Sequence, residues 1–243
     1  MNNDFSNKTT LLYNFTDRIV NPSSTVSLPI LTFHAFDERP SVISFSARVF
    51  RQGMAKLHES GYRSVFDEAF PVLQKYGMSA TVFLTVGERR TPKLADRLPS
   101  LEGRSMLSWQ EIIEMQRLGI DFGTHTLTHP DLTRVPFERV EAEICESKAI
   151  IEDALSAQVN SFAYPYGCYD RRSREIVRKH FVCACSDKLG LTDISNDLYS
   201  LKRIEAYYIR TDRLFDLMLT SFFPWYIQMR RIPREIRRAF QVS

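Results

Sequence analysis

The chain has 243 residues, of which 44% are hydrophobic and 25% charged, as in ordinary globular proteins. A formal net charge of +3 is too small to indicate a nucleic-acid-binding protein, and we expect no nucleic-acid partner. Residues 1–28 are polar and lack the basic and apolar regions of a signal peptide. We therefore expect a loose leader followed by a cytoplasmic protein.

Apolar and turn-forming residues predict an alternation of strands and helices along the rest of the chain. The predicted elements in chain order are a strand over 29–36, helices over 45–60 and 64–77, a strand over 79–86, a helix over 108–119 with Ser108 as its N-cap, a strand over 121–125, a helix over 136–155, a strand over 161–167, a helix over 171–180, and strands over 181–186 and 203–209. This alternation favours an α/β fold with a parallel sheet, open or closed into a barrel.

One connection breaks the alternation. The predicted helices 45–60 and 64–77 are joined only by GYR (61–63), with no strand between them. Because each helix of a βα barrel returns the chain to a strand, this pattern predicts either a helical hairpin or the loss of one strand.

Polar residues follow several of the predicted strands, where βα folds place their functional sites. His125 and His129 follow the strand 121–125 and lie four residues apart, a spacing that lets two imidazoles share one metal ion. The alternative is that both are polar loop residues or neighbours on a helix face. The four cysteines have no CxxC spacing and are expected to be reduced core residues.

The motifs also resemble those of a known family. GTHTLTHPDLT (123–133) is similar to the histidine motif of the polysaccharide deacetylases, the NodB-like carbohydrate esterases, and FPVLQKYGMSATVFL (70–84), FAYPYGCYD (162–170) and LKRIEA (201–206) resemble their flanking segments. The resemblance implies a distorted parallel (β/α) barrel over residues 29–213. It also implies a divalent metal, most simply zinc, held by two histidines and one aspartate, and release of acetate from N-acetylated oligo- or polysaccharides.

The chain departs from the family at its aspartate motif. It lacks the TFDDG motif. It has one GYR segment where family members with a similar leading segment have two such segments, as if the strand between them had been removed. We therefore expect a barrel lacking one strand, no third metal ligand of the usual kind, and impaired activity. Asp37, in HAFDE, is the substitute considered for the ligand and the catalytic base, and His34 is expected to face the substrate.

The resemblance also assigns roles within YPYG. Tyr164 occupies the place of the family's arginine and, with Pro165, is expected to contact the substrate. Tyr166 is expected to offer its backbone N–H to the oxyanion. No histidine follows His180, so an acid for the leaving group must come from elsewhere. The alternatives are a non-catalytic carbohydrate-binding or scaffold protein on the same fold, and a truncated product that folds poorly.

The last segment, 214–243, combines apolar and aromatic residues with five arginines. One interpretation is a peripheral contact with the inner membrane surface, because aromatic and basic groups together favour anionic interfaces. The other is a last helix that packs on the barrel and exposes a basic end.

Overall fold

The computed structural model describes residues 30–32, 35–36, 44–45, 58–59, 63–78, 80–87, 98, 105–192 and 197–241. These ranges contain nine strands: β1 Leu31–Thr32, β2 Ala35–Phe36, β3 Ser44–Phe45, β4 His58–Glu59, β5 Thr81–Leu84, β6 Asp121–Thr124, β7 Ser161–Ala163, β8 Cys183–Leu189 and β9 Leu201–Glu205. Strands β2 and β3 pair with each other, and the other seven form the main sheet.

All pairings in the main sheet are parallel, in the order β1-β9-β8-β7-β6-β5-β4. The two end strands, β1 and β4, also contact each other, so the sheet curls towards closure. The predicted parallel barrel is thus confirmed. A complete (β/α)8 barrel has eight strands, and the described part of this chain contributes seven.

The same ranges contain six α-helices that connect or follow the strands: α1 Phe70–Tyr76, which continues a π-helical turn over Val65–Ala69, α2 Trp109–Arg117, α3 Phe137–Leu155, α4 Arg171–His180, α5 Asp212–Asp216 and α6 Phe223–Gln241. Local sequence signals define several of their ends. The Ser108 hydroxyl accepts the Glu111 backbone N–H at 3.2 Å, and the Glu111 carboxylate accepts the Ser108 N–H at 2.7 Å. This capping box confirms Ser108 as the N-cap of α2.

The core lies between the sheet and the helices that cover it. Strand residues such as Leu84 and Phe162 and helix residues such as Ile112 and Ile144 are fully buried. None of the helices in the described ranges is both long enough and apolar enough to cross a bilayer.

The predicted helix over 45–60 is wrong at both ends. Phe45 belongs to β3, and His58 and Glu59 form β4, which pairs with β5 through His58↔Thr81 and Glu59↔Val82. The expectation that no strand separates the two helices is therefore also wrong. Local periodicity favours a helix here, but the edge of β5 offers backbone hydrogen bonds that only an extended segment can take up.

Candidate metal centre and adjoining cleft

Strand β6 delivers His125 to the carboxyl edge of the sheet. The His125 backbone N–H donates to the Leu84 carbonyl at 2.8 Å, which continues the pairing with β5 one residue beyond the strand. Its ring is buried, and Nδ1 lies 2.7 Å from the Ala163 carbonyl at the end of β7. A carbonyl can only accept, so Nδ1 carries the proton and Nε2 keeps its lone pair. That tautomer suits a metal ligand.

His129 meets His125 through a tight loop. Thr126 and His129 both have positive φ angles, of 71° and 61°, and the His129 N–H donates to the Thr126 hydroxyl at 3.0 Å. The two histidine Nε2 atoms lie 3.0 Å apart. Two nitrogens at about 2.0–2.1 Å from one ion lie about 2.8–3.4 Å apart for coordination angles between 90° and 109°. The imidazole pair therefore fits two positions of a single divalent ion.

A buried carboxylate fastens this loop to helix α3. Glu143 is fully buried and accepts the Thr128 backbone N–H at 2.8 Å and its hydroxyl at 2.6 Å. Arg139, one turn earlier, pairs with the same carboxylate at 2.6 Å. Thr128 precedes His129, so these contacts fix the backbone from which the second imidazole projects.

Tyr166 stands beside the histidine pair in a strained turn. Its φ is 58°, and its ring packs edge-on against His129 with centroids 4.7 Å apart. The described residues include four non-glycine positions with positive φ, and Thr126, His129 and Tyr166 are three of them. Such conformations cost free energy and concentrate at functional sites. The side chain of Tyr166 is 61% exposed, so the site opens to solvent here.

Tyr164 does not contact solvent, contrary to the sequence expectation. Its side chain is fully buried, its hydroxyl donates to the Tyr199 carbonyl at 3.2 Å, and burial raises its pKa well above the usual range. Pro165 is buried as well. The expected substrate contacts of both side chains are therefore wrong: the tyrosine fills the core because its ring packs among Phe162 and Tyr169.

A cleft of about 1130 Å³ extends from Tyr166 along the carboxyl edge. Its aromatic lining includes Tyr207 and Tyr208, and its charged lining consists of Arg134, Lys188, Arg230, Arg234 and Asp187. Four cations against one carboxylate give this wall a positive potential. A smaller cavity of about 300 Å³ lies at the opposite edge, around the first residues of β5 and β6, away from the histidines.

The described residues contain no group of three or more histidine, cysteine, aspartate or glutamate side chains placed to hold one metal ion. Asp131, near His129 in sequence, accepts the Thr133 N–H and hydroxyl and pairs with Arg134. His34 and Asp37, the predicted substrate and base residues, lie outside the described residues. Cys185 is buried, and burial raises its pKa to about 12, as expected for a core thiol.

Sequence reasoning missed two contributors to the site. In the sequence, Glu143 resembles the other acidic residues of an amphipathic helix. The one signal that it is buried is its helical position, on the same face as the buried Val140 and Ile144. The Ala163 carbonyl has no sequence signal, because any residue supplies a carbonyl at that point.

Comparisons with known proteins agree with this architecture. Residues 54–182, just over half of the chain, match the family model for polysaccharide deacetylase. A Bacillus subtilis protein, YxkH, which is named as a polysaccharide deacetylase, is 25% identical over 149 residues, covering 61% of this chain and 49% of YxkH. Chitin deacetylase 1 of Cryptococcus neoformans is 35% identical over 75 residues, covering 30% of this chain and 16% of that protein.

Two solved structures share the fold. The Streptococcus pyogenes deacetylase PplD, in complex with acetate, superposes with a TM-score of 0.65 and 21% identity, covering 75% of this chain and 93% of PplD. BC0361, a polysaccharide deacetylase from Bacillus cereus, has a TM-score of 0.67 and 21% identity, covering 81% and 70%. The chain spans about half of YxkH and a sixth of the chitin deacetylase. On the family match and the shared barrel, this chain belongs to the polysaccharide deacetylase family.

Proposed function

We propose that the chain is a metal-dependent hydrolase that removes acetyl groups from N-acetylated oligo- or polysaccharides. The observation that supports this most directly is the pair of histidine Nε2 atoms 3.0 Å apart, at the carboxyl edge of a barrel and beside an open cleft. His125 and His129 would hold the ion, most simply zinc, because neutral imidazoles are its common ligands. A divalent ion bound there would supply Lewis-acid polarisation of the acyl group and activation of water.

The residues of the chain have separate tasks in this hydrolysis. Water adds to the acyl carbon, the C–N bond breaks, the amine takes a proton and acetate leaves. Ala163 and Glu143 keep the two imidazoles aimed at one point. The backbone N–H of Tyr166, in its strained turn beside His129, is assigned to the oxyanion. The exposed aromatic ring of Tyr166 can pack against a sugar face at the mouth of the cleft.

In this proposal, activity is limited by the third metal ligand and the catalytic base, which are the two roles that the family's aspartate motif would fill. The chain has no TFDDG, so its activity is expected to be lower than that of a family member with the complete motif. Asp37, the substitute predicted from the sequence, lies outside the described residues. It is the carboxylate to test.

A non-catalytic carbohydrate-binding protein on the same barrel is the second candidate. The observation that favours it is the absence of a third metal-ligand side chain from the ranges that the structure describes. Binding of the sugar would then depend on the cleft and not on the histidines.

Zinc calorimetry and acetate release separate the two candidates. The wild-type chain is titrated with zinc and incubated with N-acetylglucosamine oligomers, beside His125→Ala, His129→Ala and the control His180→Ala, which changes an exposed histidine at the end of α4. The hydrolase predicts one-to-one zinc binding and acetate release that both histidine variants lose and the control keeps. Sugar binding without zinc binding or acetate release would favour the second candidate.

The same titration tests the third ligand. Asp37→Asn should weaken zinc binding at least tenfold if that carboxylate completes the site. Unchanged zinc affinity in this variant would remove Asp37 from the proposal.

A further inference from the structure

Helix α6 and Phe222, the residue before it, present an apolar stripe to solvent on the side away from the barrel. Five large apolar side chains are each about half exposed: Phe222 49%, Trp225 55%, Met229 47%, Ile232 45% and Ile236 52%. They follow one another at intervals of three and four residues, which places them on one helix face. Together they expose on the order of 500 Å² of apolar surface, at the upper end of the largest patch on an ordinary monomer.

The opposite face of α6 holds the helix on the barrel. Phe223 and Ile227 are buried there, and the Tyr226 hydroxyl donates to the Tyr208 carbonyl at 2.7 Å. Further along, Arg234 pairs with Asp187 of β8 at 2.8 Å. Because these contacts already fix the helix, the exposed stripe is not needed for its packing on the described part of the barrel.

The charge of α6 indicates what covers the stripe. The helix sequence holds five arginines and one glutamate, a net charge of +4. A second copy of the chain would bring two such helices together, and their like charges would oppose the contact. An anionic bilayer surface offers the complementary charge together with an apolar layer for the stripe. Phe222 and Trp225, whose rings are 4.5 Å apart, are the aromatic types that favour that interface.

We propose that α6 docks this chain on anionic membrane surfaces, with the stripe of Phe222, Trp225, Met229, Ile232 and Ile236 inserted between the headgroups and the net positive charge of the helix attracted to the anionic lipids. The helix lies in the plane of the interface and keeps its barrel face on the protein. This proposal does not depend on metal binding or hydrolysis.

The test is flotation of the full chain with vesicles of phosphatidylglycerol and phosphatidylcholine, against vesicles of phosphatidylcholine alone. The double variant Ile232→Glu/Ile236→Glu breaks the stripe and leaves the barrel face intact. Its matched control is Val182→Glu/Leu198→Glu, which places the same two acids at apolar side chains that are 60% and 51% exposed elsewhere on the surface. Deleting α6 is a poorer test, because Phe223 and Ile227 belong to the core.

The wild-type chain and the control should bind anionic vesicles at least tenfold more tightly than neutral ones, and salt should weaken that binding. The stripe variant should lose the binding at least tenfold. A blue shift of tryptophan emission should accompany binding, and it reports Trp225 because Trp109 is already buried. Equal flotation of the wild type and the stripe variant would overturn the proposal. So would a stable dimer in sedimentation that the stripe variant dissociates, since a second copy would then cover the face.

Discussion

The contact between Glu143 and the histidine loop gives the sharpest test of how the site is built. Replacing Glu143 by alanine removes a fully buried carboxylate that accepts two hydrogen bonds from Thr128 and pairs with Arg139. Hydrogen bonds to a charged group contribute about 1.5–3 kcal/mol each, but Thr128 is exposed and Arg139 is 38% exposed, so both regain water. We expect Glu143→Ala to lower the free energy of unfolding by about 2–4 kcal/mol.

The isosteric Glu143→Gln keeps the shape and one acceptor, so its cost should be smaller, about 1–2 kcal/mol. Urea unfolding measures both variants, and Glu146→Gln, an exposed change on the same helix, should stay within about 0.5 kcal/mol of the wild type. Because Glu143 positions the residue before His129, zinc affinity should also fall about tenfold in Glu143→Gln. Unchanged stability in Glu143→Ala would refute the energetic argument, and unchanged zinc affinity in a destabilised variant would refute the positioning role.

Three further expectations concern the frame around the site. Gly123→Ala places a methyl group 2.5 Å from Phe83 Cε1 and should cost about 1–3 kcal/mol in urea unfolding; a change below 0.5 kcal/mol would show that the ring moves aside freely. Asp170→Ala removes the carboxylate that caps α4 by accepting the Ser173 N–H at 2.9 Å, and should cost about 1 kcal/mol where Asp170→Asn costs much less. Burial alone would raise the pKa of Asp170, but hydrogen bonds from Ser173 and Arg172 hold it below its usual value. Its stabilisation is therefore complete above about pH 4 and is lost as the pH falls through the lowered folded pKa, so the stability difference between the wild type and Asp170→Asn should shrink in acid.

The elements that could be predicted from the sequence are those whose signals are local. The helix over 171–180 has the predicted bounds, since Asp170 caps its start and its basic last turn suits the helix dipole. Ser108 was likewise predictable as the N-cap of α2, because its hydroxyl accepts a backbone N–H of the first helical turn. The order of strands and helices likewise follows from the periodicity of apolar residues, which predicts a parallel sheet, and the family resemblance predicts its closure into a barrel.

The errors arise where a distant partner decides the structure. His58 and Glu59 lie in a strand only because β5 offers them an edge, and no residue within that segment signals it. Tyr164 was placed in the site because it aligns with an arginine of the family motif. A tyrosine can bury its ring completely and still satisfy its hydroxyl at the Tyr199 carbonyl, so the same position serves the core here. Glu143 acts on Thr128 across fifteen residues, beyond any short motif.

Helix α6 carries both the proposed membrane face and part of the cleft wall. Its apolar stripe and its barrel face lie on opposite sides, and the barrel face contributes Arg230 and Arg234 to the cleft wall. Arg234 pairs with Asp187, and Asp187 packs so closely against Gly167 that any added side chain would collide with it. This contact also braces the turn that holds Tyr166 beside the histidines. A surface bound to the stripe would therefore leave the cleft wall uncovered, and changes at Ile232 and Ile236 should alter vesicle binding while zinc affinity stays the same.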